Sequence, residues 1–145
     1  MTKAELNEYL EFAKSLAKEA GDIMLRYFRA DDIGVELKDD KTLVTIADTK
    51  INNMVIDAVK AKFPDHSVHG EEGSFAVEHS ELTWVCDPID GTLPFAKGLP
   101  ISTFSLGLVG ADGDAYIGVA YDPYQDRMYE AAKGHGSLLN GRKIM

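Results

Sequence analysis

The chain reads as an α+β protein, two N-terminal helices packed on a largely antiparallel β-sheet. Three observations predict this. Apolar stripes of helical period run up to Pro64, short β-rich runs follow Gly73, and the connections between those runs look like hairpins.

The first thirty or so residues predict a long amphipathic helix. Leu6, Leu10, Ala13, Ala17, Ala20, Met24 and Tyr27 recur at three- and four-residue steps, with Lys and Glu between them. Thr2 and Glu5 have capping-box spacing, and Asp31, Asp32 and Gly34 are expected to end the helix. A second helix fits residues 46–63, where Ile51, Val55, Val59 and Phe63 form one stripe and Pro64 closes the segment. The strands are expected at TWVCD, ISTFSLGLV, AYIGVAYD and RMYEAA. Ala111-Asp112-Gly113-Asp114 and Asp122-Pro123-Tyr124-Gln125 read as hairpin connections, which favours antiparallel pairing over βαβ crossovers. No internal repeat, low-complexity tract or linker interrupts this order. The chain stops at LNGRKIM, just after the turn-like Asn140-Gly141, which reads as a cut.

Composition narrows the function. A chain of 145 residues with 45% hydrophobic content suits one domain with a real core. Its 15 Lys plus Arg against 24 Asp plus Glu give a net charge of −9, which argues against nucleic acid as a partner. What remains is a solubilising acidic surface or carboxylates gathered to hold cations. The single cysteine, Cys86, excludes an intrachain disulfide and a cysteine-based metal cluster, so a reducing compartment is expected. No run approaches the ~18 apolar residues of a membrane span. With no signal-peptide pattern either, the expectation is a soluble cytoplasmic protein with no membrane partner.

Three segments each place a carboxylate where an element begins or ends. KDDKTLVTIAD ends in Asp48, HGEEGS sets Glu71 and Glu72 beside glycines, and WVCDPIDGT carries Asp87 and Asp90. Hard divalent cations such as Mg2+ take a few oxygen ligands from protein and keep waters and substrate oxygens for the rest. Carboxylates converging at a strand end supply that. WVC can be a buried strand that delivers Asp87. Pro88 stiffens the turn, Ile89 can offer its carbonyl, and Asp90 returns to the same side. Gly91 lets the backbone approach a ligand closely, and the Gly91 and Thr92 N–H groups, if they open a short helix, face an anion.

Each piece also has a plainer role. Asp48 beside Thr45 has the position of a helix cap, Glu71-Glu72 of a solvated turn, and Asp90-Gly91 of an ordinary turn signal. His66, His69, His79 and His135 lack a paired metal spacing, and Cys86 in an apolar strand reads as a small buried hydrophobe. Lys38 and Lys97 suit the steering of an anion, though a lysine is ordinarily just solvated. It is the combination, in this order, that carries weight.

These segments resemble the inositol monophosphatase family, Mg2+-dependent and lithium-sensitive phosphatases. The matching pieces are Lys38 with LVTIAD at 43–48, HGEEGS at 69–74 and WVCDPIDGTLPFAKGLP at 84–100. GLVGADGDAYIGVAYDP and GHGSLLNGRKI follow the pattern, so the likeness runs from about residue 4 to the end. The resemblance implies hydrolysis of a phosphate monoester by water. Glu71, Asp87 and the Ile89 carbonyl would bind one Mg2+ (Mn2+ a possible substitute), and Asp87 and Asp90 a second. Glu71 would also help hold a weaker third through water. Thr92 with Asp48, and Glu71 nearby, would orient and deprotonate the attacking water. The Gly91 and Thr92 N–H groups would hold phosphate, with Glu72 and Lys38 in support. Inositol monophosphate is the default substrate within a class of sugar and polyol phosphates.

Two departures matter. Pro94 stands where the family has asparagine in DGTxNF, so the helix there is expected to start differently. The family's second α/β half, with its W-D-x-A-A-G element, has no counterpart, since the only tryptophan is Trp84. The expectation is therefore an N-terminal metal-binding half over residues 1–145, working as a homo-oligomer or with a complementing C-terminal half. A non-catalytic metal- or phosphate-binding module is the alternative.

Overall fold

A computed structural model describes residues 1–31, 34–38 and 43–144. Asp32, expected to help end the first helix, and Met145 lie outside the described residues.

Helix α1 spans Lys3–Tyr27, and the Thr2–Glu5 capping box is formed in both directions. It buries Leu6, Leu10, Ala13, Leu16, Ala17, Ala20 and Met24. It ends earlier than the polar residues at 31–34 suggest. Phe28 leaves the helix in an extended conformation to pack on Tyr124 and Phe95, with ring centroids 4.8 and 5.9 Å away, and Arg29 turns into the left-handed region. Tertiary packing of one aromatic thus decides the stop.

A short antiparallel pair follows, β1 (Glu36–Leu37) with β2 (Leu43–Val44). Helix α2, Ile46–Lys62, starts from a Thr45–Asp48 capping box and buries Ile51, Val55 and Val59 completely. Phe63 caps it, its N–H reaching the Val59 carbonyl at 2.7 Å, before Pro64 forbids another turn.

The main sheet has eight strands. They are β3 (Ser67–Gly70), β4 (Gly73–Phe75), β5 (Leu82–Asp90), β6 (Thr103–Gly110), β7 (Ala115–Asp122), β8 (Arg127–Ala132), β9 (Gly136–Leu139) and β10 (Arg142–Ile144). Their spatial order is β10-β9-β8-β7-β6-β5-β3-β4. From β5 to β10 neighbouring strands pair antiparallel, and the connections expected at 111–114 and 122–125 are the β6–β7 and β7–β8 hairpins. The β3–β5 pair is parallel, a departure from that expectation. The chain folds β4 back along the outer edge of β3 and returns beneath it, so β5 enters on the inner edge in the direction of β3. A hairpin strand replaces the usual crossover helix. β3 and β4 escaped the sequence reading because they are short and built on Ser, His and Gly rather than β-branched residues.

Helix α1 lies across β6, β7 and β8, and α2 across β5, β3 and β4. Burial alternates along the central strands. Trp84, Cys86, Phe104, Leu106, Leu108, Ile117, Val119 and Tyr121 face the helices and are buried. Their neighbours face away, and here Val85 is 40% exposed and Tyr129 37%. The second face carries small residues in register, with Val85 opposite Gly107, Gly107 opposite Gly118 and Gly118 opposite Ala131. No described helix covers it.

Candidate functional site

Strand β5 is paired on both sides as far as Cys86 and by β6 alone beyond it. Trp84 and Cys86 anchor it in the core, and burial pushes the Cys86 thiol up to about 12, which leaves it an inert hydrophobe. At its end the ladder with β6 slips. Asp87 is opposite Ser105 and Asp90 opposite Thr103, three residues against two. That is a β-bulge, placed where Pro88 has no N–H to contribute, with Pro88 and Ile89 buried. Because Ser105 and Thr103 share a face of β6, the slip brings Asp90 onto the same side as Asp87.

Gly91 has φ 95°, the left-handed region, and helix α3, Thr92–Ala96, begins immediately after it. The Phe95 N–H bonds the Gly91 carbonyl at 3.0 Å. Pro94 is the third residue of this helix, where backbone N–H groups have no intrahelical partner, so the missing donor costs nothing. The helix starts at Thr92 despite the substitution.

Asp48 joins α2 to this turn. Its Oδ2 accepts from the Thr45 N–H at 2.8 Å and the Thr45 hydroxyl at 2.5 Å, while its Oδ1 accepts from the Thr92 hydroxyl at 2.9 Å. The plain role as a helix cap is therefore present, and a second contact is added to it. Thr92 Oγ1 also lies 3.1 Å from the Ile89 carbonyl, so one hydroxyl proton is shared between two acceptors. Burial raises the Asp48 pKa, and the hydrogen bonds from Thr45 and Thr92 oppose that rise.

Glu71 and Glu72 form the two-residue tip of the β3–β4 hairpin, between the paired Gly70 and Gly73. The Glu71 N–H bonds the Cys86 carbonyl at 3.1 Å, tying the tip to β5 one residue before Asp87. Glu72 turns away and pairs with Lys38 at 2.9 Å, its side chain only 7% exposed.

Asp87 is the electrostatic centre. Burial, then the Glu71 carboxyl close enough to share a proton, then the charges of Asp90 and Asp48 push its pKa up to about 8. Its Oδ1 is buried and has no hydrogen-bond partner. A buried, unpartnered carboxylate oxygen facing further acids is costly unless a cation sits there. The donors are all hard oxygens, which fits a Mg2+-like ion. Among the described residues no group of three His, Cys, Asp or Glu side chains is arranged to hold a metal ion. Any ion here would accordingly take one or two carboxylates from this chain, and could add the Ile89 carbonyl and water.

Three buried polar residues escaped the sequence reading, Asn52, Ser102 and Glu130, and Asn52 is the one that meets the acidic hairpin tip. Asn52 lies one turn after Asp48 on α2, fully buried, with its Nδ2 donating to the Gly73 carbonyl at 3.0 Å and its Oδ1 accepting from the Glu72 N–H at 3.4 Å. Its only sequence signal was a polar residue beside the apolar stripe. A cavity of about 490 Å3 lies at the other end of β5, lined by Glu5, Tyr9, Glu81 and Asp112 among others, and contains none of these groups. We place the site on the electrostatics of the strand end rather than on concavity.

Known proteins share this arrangement of elements. The chain is 37% identical over 142 residues to inositol monophosphatase 1 of Sus scrofa, covering 94% of this chain and 50% of that protein. The extragenic suppressor protein suhB of Bartonella henselae superposes with a TM-score of 0.88 at 27% identity, covering 94% of this chain and 54% of that one. A solved IMPase/NADP phosphatase complexed with Mg2+ and phosphate superposes at 0.84 with 25% identity, covering 97% of this chain and 53% of its own. The chain thus spans about half the length of the relatives it matches. A profile of the inositol monophosphatase family matches residues 5–145, and the chain belongs to that family.

Proposed function

We propose that this chain is the metal-carrying half of a phosphate-monoester hydrolase acting on inositol monophosphate or a related sugar or polyol phosphate. The observation that carries the reading is the Asp87 carboxylate oxygen, buried and unpartnered among Glu71, Asp90 and Asp48. Glu71, Asp87 and the Ile89 carbonyl would hold one Mg2+, and Asp87 with Asp90 a second, with Mn2+ able to substitute. Bound there, such ions lower the pKa of water and neutralise charge on a transferring phosphoryl group. The relative solved with Mg2+ and phosphate supports this choice.

The chain's own residues supply orientation. The Thr92 hydroxyl gives its proton to Asp48 and Ile89, which leaves its oxygen free to accept from a water. As that water attacks phosphorus, its proton moves to Thr92 Oγ1 and the threonine proton passes to Asp48 Oδ1. Burial favours protonated Asp48, so it is suited to receive it. Glu71 would help orient the same water. Gly91, free of a side chain, and the N–H groups of Gly91 and Thr92 hold the phosphate. The Lys38–Glu72 pair supports the hairpin tip.

A second reading has its own observation. The helix-free sheet face, in a chain half the length of its relatives, supports a module that acts only when a second copy or a complementing C-terminal half covers that face. The domain is then residues 1–145 as one unit. No described helix is long and apolar enough to cross a membrane. The free Cys86 thiol suits a reducing cytoplasm.

Titration of the chain with Mg2+ by calorimetry, followed by assay of a generic phosphomonoester, tests the proposal. Binding and turnover that both vanish in Asp87→Asn support an enzyme. Binding without turnover, alone or reconstituted, supports the module. No heat with Mg2+, nor with Mn2+ in a parallel titration, refutes both.

A further inference from the structure

We infer that Asn52 is the positioning residue that sets Glu71 for the cation. It acts through backbone it holds rather than by touching a ligand. The inference rests on the metal reading above and assigns a role to a residue that reading does not use.

The argument begins with helix geometry. Asp48 and Asn52 are four residues apart, so they project from the same face of α2 one turn above each other. Asp48 grips Thr92 at the end of β5, and Asn52 grips the hairpin tip. One rigid helix therefore spans two acidic segments that are distant in sequence. The amide is used from both ends. Its NH2 meets the Gly73 carbonyl and its oxygen meets the Glu72 N–H, so the two groups flanking the tip are fixed by one side chain.

The fit is close. A Cβ added at Gly70 would overlap the Asn52 amide oxygen and the Gly73 carbonyl, and one at Gly73 would come within 3.4 Å of the Asn52 nitrogen. The two glycines make the slot in which the amide lies. The Glu71 backbone is held by the Cys86 carbonyl, and its side chain, in an exposed residue, lies close to Asp87. Without Asn52 the tip would lose two of the bonds that hold its backbone, and the Glu71 carboxylate would lose its fixed distance to Asp87. The Lys38–Glu72 pair also restrains the tip, but it ends on a side chain and does not reach the tip's backbone.

The test is a double-mutant cycle read by Mn2+ binding to the full chain, using calorimetry or the electron paramagnetic resonance of free Mn2+. Asn52→Leu keeps the side-chain volume and suits the apolar stripe. Asn52→Ala is the second variant, and melting curves in EDTA establish that each is folded. Asn52→Leu should weaken Mn2+ binding about 10-fold or more, in the range found for residues that orient metal ligands. In a Glu71→Gln background the same substitution should change affinity less than about 2-fold, because the group it positions is already lost. An equal loss in both backgrounds would mean a general structural effect and would overturn the inference, as would wild-type binding by folded Asn52→Leu. Asp87→Asn separates the two claims. If it abolishes binding while Asn52 variants bind normally, only the role of Asn52 falls, and if it binds normally the metal site itself falls and takes this role with it.

Discussion

Replacing Asp87 by asparagine should make the metal-free protein more stable and at the same time abolish its response to Mg2+. The Asp87 pKa lies at about 8 in the folded chain against an ordinary 3.8. A carboxyl raised in this way contributes full stability below pH 3.8, and that contribution is lost progressively as pH rises through 8. At about 1.36 kcal/mol for each pH unit, the limiting penalty at pH 8 is roughly 6 kcal/mol. The side chain is only half-buried, so solvent screening reduces this to about 1–3 kcal/mol. Asparagine keeps the shape and removes the charge. For a chain of this size the metal-free melting temperature at pH 8 should rise by about 3–8 °C, and by nothing at pH 4 where the carboxyl is already protonated. Mg2+ at about 100 times its Kd should stabilise the native chain by about 2.7 kcal/mol and leave Asp87→Asn unmoved. Differential scanning calorimetry in EDTA and in Mg2+, at both pH values, reads all four numbers. A lower melting temperature for metal-free Asp87→Asn at pH 8, or an intact Mg2+ response, would refute the reasoning.

Three further outcomes follow from separate contacts. Gly70→Ala should cost about 1–3 kcal/mol in denaturant unfolding, because its Cβ overlaps the Asn52 amide oxygen and the Gly73 carbonyl, and it should weaken Mn2+ binding as well. Thr92→Val should reduce Mg2+-dependent phosphomonoester turnover, by the chain alone or reconstituted, about 100-fold or more, while Thr92→Ser retains most of it. His66 accepts the indole N–H of Trp84 on its Nδ1 at 3.1 Å, and burial lowers its pKa below 6.5. A half-buried histidine held neutral contributes stability that is present above pH 6.5 and is lost as pH falls through the folded value. Fluorescence of Trp84, the only tryptophan, should therefore show a transition below pH 6.5 that disappears in His66→Gln; an unchanged transition would exclude His66 as its source.

Both long helices were legible because their period is sustained over several turns and their caps are written in the residues, Thr2 with Glu5 and Thr45 with Asp48. The β6–β7 and β7–β8 hairpins were legible in their turns. What sequence could not carry were features set by contacts across the fold. Phe28 ends α1 because Tyr124 and Phe95 await it. β3 runs parallel to β5 because β4 occupies its other edge, which no residue in β3 declares. In the site, Asp48, Glu71, Asp87 and Asp90 could be picked out since acids beside glycines and a strand end are conspicuous. Asn52 could not, because one polar residue on a helix says nothing about which loop it will meet.

The slip between β5 and β6 has a consequence for what kind of mistake this protein can survive. In an unbroken strand, side chains three apart point in opposite directions. Removing a single residue from the Pro88-Ile89 step would mend the ladder and give a more regular sheet. The two aspartates would then stand two apart and still share a face, but the extra residue would be gone, and with it the turn that brings the Ile89 carbonyl to the Thr92 hydroxyl. A regular ladder and the outturned carbonyl of the bulge are alternatives at this strand end, and the native sequence carries the irregular one.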